Sequence, residues 1–402
     1  KISLSRATNY FFLFIFLCWS GNPLFTGLAY SKQALVIYSA AFILYTVLVC
    51  NIKFSVKFPF LLSVIISIIG VIIIAQQILF DFISVPGILA IILKITYGGF
   101  MLVYFKARKD DFLHYYIRLM SFLSVISILF FLLNFTGHYG MEINQPSTKS
   151  LLFYTSLILD GGGIRNSGMF WEPGAFAGYL IIALLFIAFR NRTFSVGPYK
   201  RETFWIIIAM LTTLSTTAFF CLALLFMAYL INNFSFRIKF MLIPVCVTAG
   251  LIIYENMPFL SEKIELQYQQ AENMDKSDVS NTRFGALKMD LQYIEAEPIF
   301  GNGVHIKTRY RFHPSVKGDI GHGNGMSNFI TCWGIPLFLF WLLQFYLFAR
   351  NKFPSRLNTL LSVLIILLLL QGEQFLNYPF FLSFFLLPVI FNKSDSGLTS
   401  LR

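Results

Sequence analysis

Thr203-Phe-Trp-Ile-Ile-Ile-Ala-Met-Leu-Thr212-Thr-Leu-Ser-Thr-Thr217-Ala-Phe-Phe-Cys221-Leu-Ala-Leu-Leu-Phe-Met-Ala-Tyr-Leu-Ile-Asn-Asn233 is apolar throughout except for the hydroxyl run 212–217 at its middle. As one helix it would reach about 46 Å at about 1.5 Å per residue, against a hydrocarbon core of about 30 Å. Hydroxyls can satisfy the backbone groups that a helix break frees. The stretch is therefore read as two helices, 203–216 and 217–233, that cross and return. The distribution of charge supports this reading. With two helices every short basic loop falls on one side; with one helix the bases at 237–239, 350–356 and 393–402 would change sides.

Outward from this pair, further apolar runs of span length lie at 9–28, 33–50, 58–80, 84–105, 113–135, 174–190, 238–256, 326–349, 356–372 and 374–391. With 203–216 and 217–233 these make twelve expected transmembrane helices. The runs are continuous rather than alternating, so spanning β-structure is excluded. The expected fold class is an all-α integral membrane protein with one large outer loop. Its parts are a first helical region (1–256, including an outer loop 136–173), a partly helical outer loop (257–325), and a last helical region with a tail (326–402).

Composition agrees with this. Of 402 residues 57% are hydrophobic, only 12% are charged, and Phe occurs 47 times. Charged residues normally make up about a quarter of a soluble chain. The net charge of +12 could suggest nucleic acid, but the bases are sorted by side. The loops on one side hold 19 bases against 4 acids, whereas the other side holds 11 bases against 15 acids, and Lys94 lies at mid-span. By the positive-inside rule the first side is cytoplasmic, as are both termini. The excess is thus a topology signal and implies no nucleic-acid partner. The first span lacks a small-residue cleavage site, so no signal peptide is expected. The five Cys (18, 50, 221, 246, 332) all lie in apolar runs, and neither a disulfide nor a thiolate metal site is expected.

Both long outer segments end where a helix enters the membrane. The first closes with Asp160-Gly-Gly-Gly-Ile-Arg165-Asn-Ser-Gly168-Met-Phe170-Trp-Glu172-Pro173, and Pro173 suits a first helical position. The second closes with Gly321-His322-Gly-Asn324-Gly325. Helix N-termini attract anions, glycines permit close backbone approach, and a guanidinium matches phosphate oxygens. Within the second segment, 258–272 (with Ile264, Leu266 and Tyr268) reads as a helix lying on the membrane. Another helix is expected from an N-cap at Asn281 or Thr282 to just before Pro298, burying Phe284, Leu287, Leu291 and Ile294. A basic run follows: His305, Lys307, Arg309, Arg311 and His313. Each feature has a plainer reading: Gly161–Gly163 as a flexible loop, Glu172 as a helix cap, His322 as a turn residue, the basic run as a solvated face. Lys94 is singled out as a possible ligand contact, because an intramembrane base is costly.

At Arg165-x-x-Gly168-x-Phe170-x-Glu172-Pro173-x-x-Phe176-Ala177 the chain resembles the O-antigen polymerase/ligase family of bacterial envelope glycosyltransferases (Wzy-type). Three further stretches are similar in order and spacing: Leu211–Thr217, Arg283 with Glu297-Pro-Ile-Phe-Gly301-Asn-Gly303, and Gly321-His-Gly-Asn-Gly325 followed by Gly334-Ile-Pro-Leu. The family's adjacent His-Asn pair is here split by Gly323. The resemblance covers roughly residues 160–345. It implies a GT-C-like enzyme of the bacterial inner membrane whose active site faces the periplasm. Such an enzyme moves a glycan from an undecaprenyl diphosphate carrier to a sugar hydroxyl, by a single inverting displacement with no metal or other cofactor. Arg165, Arg283 and Arg309, with Arg311, would stabilise the leaving diphosphate. Glu172 or His322 would serve as base. Asn324, Gly168 and Lys94 would contact substrate, and Phe170, Trp171 and Tyr310 could stack on sugars. A chain-length-regulating protein is an implied partner. Glu172-Pro173 favours a polymerase over a ligase acting on the lipid A core. A lipid-linked oligosaccharide flippase, and a shape–elongation–division type polymerase with its acid among Asp290, Glu295 and Glu297, are the competing readings.

Overall fold

The structure, a computed structural model of the chain, describes residues 4–27, 30–49, 57–82, 84–134, 136–137, 141–143, 145–158, 164–235, 237–238, 283–313 and 322–391. All but the first residue of the expected ninth span, the expected helix 258–272, the N-cap at 281–282, Gly161–Gly163 and Gly321 lie outside these. The long helices are α1 (Leu4–Trp19), α2 (Ser31–Val49), α3 (Lys57–Phe80), α4 (Val85–Ala107), α5 (Phe112–Asn134), α6 (Pro173–Asn191), α7 (Lys200–Thr212) and α8 (Thr216–Asn233). After residue 282 come α9 (Arg283–Ala296), α10 (Gly325–Trp333), α11 (Ile335–Lys352) and α12 (Arg356–Leu370).

Among the described residues six helices, α2 to α6 and α8, are long and apolar enough to cross a membrane. The protein is helical and membrane-embedded. Ile37 and Ile78, on α2 and α3, are 70% and 78% exposed, an arrangement that suits lipid rather than water. The aromatic residues Phe16, Tyr116, Tyr179, Phe186, Phe380 and Phe384 instead fill the interior between helices.

The helix break at the centre of 203–233 is present. Leu214 takes a left-handed conformation (φ 48°), and α8 begins afresh at Thr216. The chain reverses there. Arg118 pairs with Glu202 at 2.6 Å near the starts of α5 and α7, and Asn166 links Ser127 to Thr212 near their ends. The far end of α8 returns to the start level, where Asn232 accepts from Thr193 at 3.0 Å and Asn233 donates to the Phe194 carbonyl at 2.7 Å. The same end gathers Arg108 with Ser5, Asn9 with Asp110, Arg190 with Asp111, and Asn232 with Asn358. The basic loops at 106–118, 190–201 and 350–356 therefore share one end of the bundle.

Three expected spans are interrupted, the first of them 9–28, where α1 stops at Trp19 and only the short helix Pro23–Thr26 follows, capped by Asn22. The 326–349 run breaks at Gly334 (φ 83°), between α10 and α11. The freed carbonyls of α10 are used by the turn after α9: Asn302 N–H donates to Thr331 and Gly303 N–H to Cys332, at 2.7 and 3.1 Å. Gln76 of α3 clamps the same turn, donating to the Phe300 and Cys332 carbonyls. The 374–391 run is a chain of short helical turns, Phe375–Asn377, Pro379–Leu382, Ser383–Leu386 and Leu387–Ile390. Pro379 and Pro388 cannot donate to a continuous ladder.

The segment 136–173 holds a feature that its sequence does not announce, a four-stranded antiparallel sheet. Its strands, in order, are β1 (Met141–Ile143), β2 (Gln145–Leu151), β3 (Tyr154–Ile158) and β4 (Ile164–Asn166). Leu157 pairs with Thr148 on one side and with Arg165 on the other. The sheet delivers Arg165 and Asn166 to the break between α7 and α8.

Candidate functional site

Two polar clusters lie at the end of the bundle opposite the basic loops. The first is built on the helix break. Arg165 donates through Nε to the Thr213 carbonyl at 3.1 Å and through Nη2 to the Leu214 carbonyl at 2.9 Å. These are carbonyls that α7 cannot satisfy itself. Arg283, at the start of α9, donates to Thr216 Oγ1 at 2.8 Å, and its other terminal nitrogen lies 3.9 Å from Glu373 Oε1. Burial pulls Arg165 below the ordinary arginine value; Glu172 and Glu373 oppose that shift and Arg283 adds to it. The guanidinium stays charged at neutral pH.

Glu172 is the residue before α6, with extended backbone, and its side chain makes no capping bond. It is exposed. The plainer reading, a simple helix cap, thus has no hydrogen bond behind it. Gly168 is a turn residue: φ is 55°, its N–H bonds Asn166 Oδ1, and a Cβ would lie 2.7 Å from the Phe176 ring. The turn is closed by packing rather than left open to a ligand. Phe170 is fully buried, stacked on Tyr179 at 3.9 Å, so it offers no face to a sugar. Trp171 is half-buried on Tyr378 at 4.4 Å.

The second cluster lies two turns further along α9. Asp290 is fully buried and binds Arg309, His322 (3.2 Å) and Ser327 (2.5 Å) at once. Burial alone would raise its carboxyl, but Arg309, His322 and the Ser327 hydroxyl outweigh that and hold it below the ordinary range. Arg309 also donates to Asn328 Oδ1 at 3.0 Å, and its guanidinium carbon lies 5.3 and 4.7 Å from the ring centres of Tyr293 and Tyr310. Its Nη1 has no hydrogen-bond partner among the described residues, and the ring faces are what it meets. His322 is engaged at both nitrogens, Nε2 by Asp290 and Nδ1 by the Asn324 backbone at 3.0 Å. Asn324 caps α10, accepting from Ser327 N–H at 3.1 Å.

The other expected site residues lie elsewhere. Arg311 packs over the Phe80 and Phe312 rings, 3.7 Å from Glu297. Lys94 donates to the Asn377 carbonyl at 2.7 Å. Within the basic run Lys307 is exposed while Arg309 is 2% exposed, so the solvated-face reading holds for only part of it.

The expected buried face of α9 needs correction. Phe284 and Leu291 are both 47% exposed, and Gly285, Ala286, Met289, Asp290 and Tyr293 face inward. Asp290 ties α9 to α10 through the Ser327 hydroxyl, and its pair with Arg309 fixes the rotation. A hydrophobic-period reading could not find this, because the anchoring residue is an acid. Glu373 was also missed as a site member, since it reads as a lone charge between two apolar runs.

Among the described residues no three His, Cys, Asp or Glu side chains gather as metal ligands would. Comparison with protein-family models, with curated proteins and with solved structures gave no match.

Proposed function

We propose that the chain is a membrane glycosyltransferase of the O-antigen polymerase kind. It transfers a glycan from a polyprenyl diphosphate carrier to the sugar hydroxyl of a second carrier-linked repeat unit. The observation that carries this reading is the convergence of Arg165 and Arg283 on the α7–α8 break, beside Glu172 and Glu373 and remote from the basic loops. Two guanidiniums held by backbone and hydroxyl groups are preorganised for an anion, and a diphosphate leaving group needs such stabilisation more than it needs a strong acid. Attack by the acceptor oxygen on the anomeric carbon, with departure of the lipid diphosphate, inverts that centre.

In this reading Arg309, His322 and Asn324 hold the outer segment in place and do not touch substrate. The bundle has twelve spans in a GT-C-like arrangement, in a bacterial inner membrane, with both termini cytoplasmic and the arginine pair facing the periplasm. A chain-length-regulating protein is the expected partner.

The direct test is the purified protein in liposomes with lipid-diphosphate-linked repeat units. Glycans of several repeats and released lipid diphosphate are expected; intact donor after prolonged incubation would sink the reading. Orientation is tested with Lys307→Cys, whose position is exposed while the described cysteines 18, 221 and 332 are buried. A membrane-impermeant thiol reagent should label it in intact spheroplasts. Labelling only after lysis would reverse the topology.

A further inference from the structure

Glu373 belongs to no motif of the sequence reading, yet it stands where the strands of the first cluster meet. It lies in the turn after α12. Its Oε1 sits 2.3 Å from where a Cβ on Gly174 would be, at the first turn of α6. Its carbonyl comes as close to Gly325 at the start of α10, 1.8 Å from the corresponding point. Two glycines therefore make room for this one residue. The side chain is 14% exposed, with Oε1 3.9 Å from Arg283 Nη2. Among the described residues, charged and titratable groups around it include Arg283 from α9, Arg165 from β4, Glu172 ahead of α6, and Tyr378.

We propose that Glu373 is the base that accepts the acceptor hydroxyl's proton, and that donor binding switches it on. The proposal rests on the transferase reading above. His322 has both nitrogens occupied and Asp290 is saturated by three partners, so neither can take a proton from a substrate without dismantling its cluster. Glu373 differs in that its counter-ion is one of the two arginines a diphosphate would claim. At 3.9 Å its pair with Arg283 is open and exchangeable, unlike the closed contact between Arg309 and Asp290. When a diphosphate takes Arg283, the Glu373 carboxylate loses that cation and gains an anionic neighbour, and both changes make it more basic.

In the step itself the acceptor O–H proton moves to the Glu373 carboxylate as the oxygen bonds to the anomeric carbon. The bond from that carbon to the diphosphate oxygen breaks, and its electron pair leaves with the lipid diphosphate. Glu373 then releases the proton to water. An empty site keeps the base neutralised, so the nucleophile is activated only once the donor is loaded.

The test uses the full chain in liposomes with lipid-diphosphate-linked repeat units. Glu373→Gln is expected to lower kcat by about 10²–10⁴-fold, with the donor KM unchanged or lower because a competitor for Arg283 is gone. Glu373→Asp should recover part of the loss, and Glu172→Gln should cost less than Glu373→Gln. Gly174→Ala moves the carboxylate without removing it and should also lower kcat at least tenfold. Alanine favours a helix over glycine by about 1 kcal/mol, so that loss would run against the intrinsic preference. The double variant should be no worse than Glu373→Gln alone. If Glu373→Gln does not fold, Gly174→Ala decides. A kcat within threefold of wild type in the deciding variant, or a loss confined to donor KM, overturns the proposal. Wild-type protein that consumes no donor overturns the transferase reading instead.

Discussion

Arg165→Ala is expected to lower glycan-chain formation by at least about 10²–10³-fold, the loss typical of removing one donor aimed at developing charge. Single repeat units should still reach the far side of the membrane, because the variant removes polymerisation and not delivery. A flippase would respond the other way, trapping repeat units on the cytoplasmic side. The guanidinium also closes the α7–α8 break, so stability should fall by about 1–3 kcal/mol as the Thr213 and Leu214 carbonyls lose a partner. Arg165→Lys separates the two roles. A lysine keeps the charge but lacks the planar fork that bonds two carbonyls and still faces an anion. It should recover part of the lost stability through one ammonium contact to these carbonyls and yet remain at least tenfold slower. Glycan chains of normal length in Arg165→Ala, at equal protein level, would remove Arg165 from the site.

The hydroxyl run 212–217 was legible because a length argument and a charge argument agree on it. Its partner was not, because nothing in the sequence says that β4 would carry Arg165 to the same place. The small sheet was hidden in a segment whose residues alternate weakly, although its strands pair only with their neighbours in sequence. For α9 the end before Pro298 followed from the turn residues, but its rotation did not. Phe284 and Leu291 satisfy a hydrophobic period, whereas the side chains that anchor the helix are Asp290 and Tyr293. The break at Gly334 was masked by the apolar character of the residues on both sides of it. Its cause is tertiary, since α10 ends where its carbonyls find the 301–303 turn. The arginines at 165, 283 and 309 stood out as bases that the topology rule does not explain. Only the structure divides them, two at the helix break and one locked against an acid.

That division makes Asp290 the residue whose loss should cost most stability. Asp290→Ala leaves Arg309 and His322 buried together with no anion, and removing one member of a buried pair costs about 3–5 kcal/mol. The damage should be local, appearing as faster hydrogen exchange across 283–313 and at the start of α10, while the core around α6 stays protected. Acid should act in the same way. The Asp290 carboxyl is held below its ordinary value, so the stability it contributes is full above the unfolded value of about 3.9 and is lost as pH falls through the lower folded value. The outer segment should therefore stay docked from pH 5 to 8, as about the range of maximal stability, and loosen only in stronger acid. Replacing both partners, Asp290→Leu with Arg309→Met, should recover most of the lost protection, because a desolvated pair and an apolar pair can be nearly equal in energy. The recovered double variant also separates a strap from a substrate contact. Arg309 turned wholly toward Asp290 and Asn328 predicts chain formation within tenfold of wild type. A double variant that is fully docked yet forms no chains would instead make Arg309 a third phosphate contact, reached through Nη1, which has no hydrogen-bond partner among the described residues.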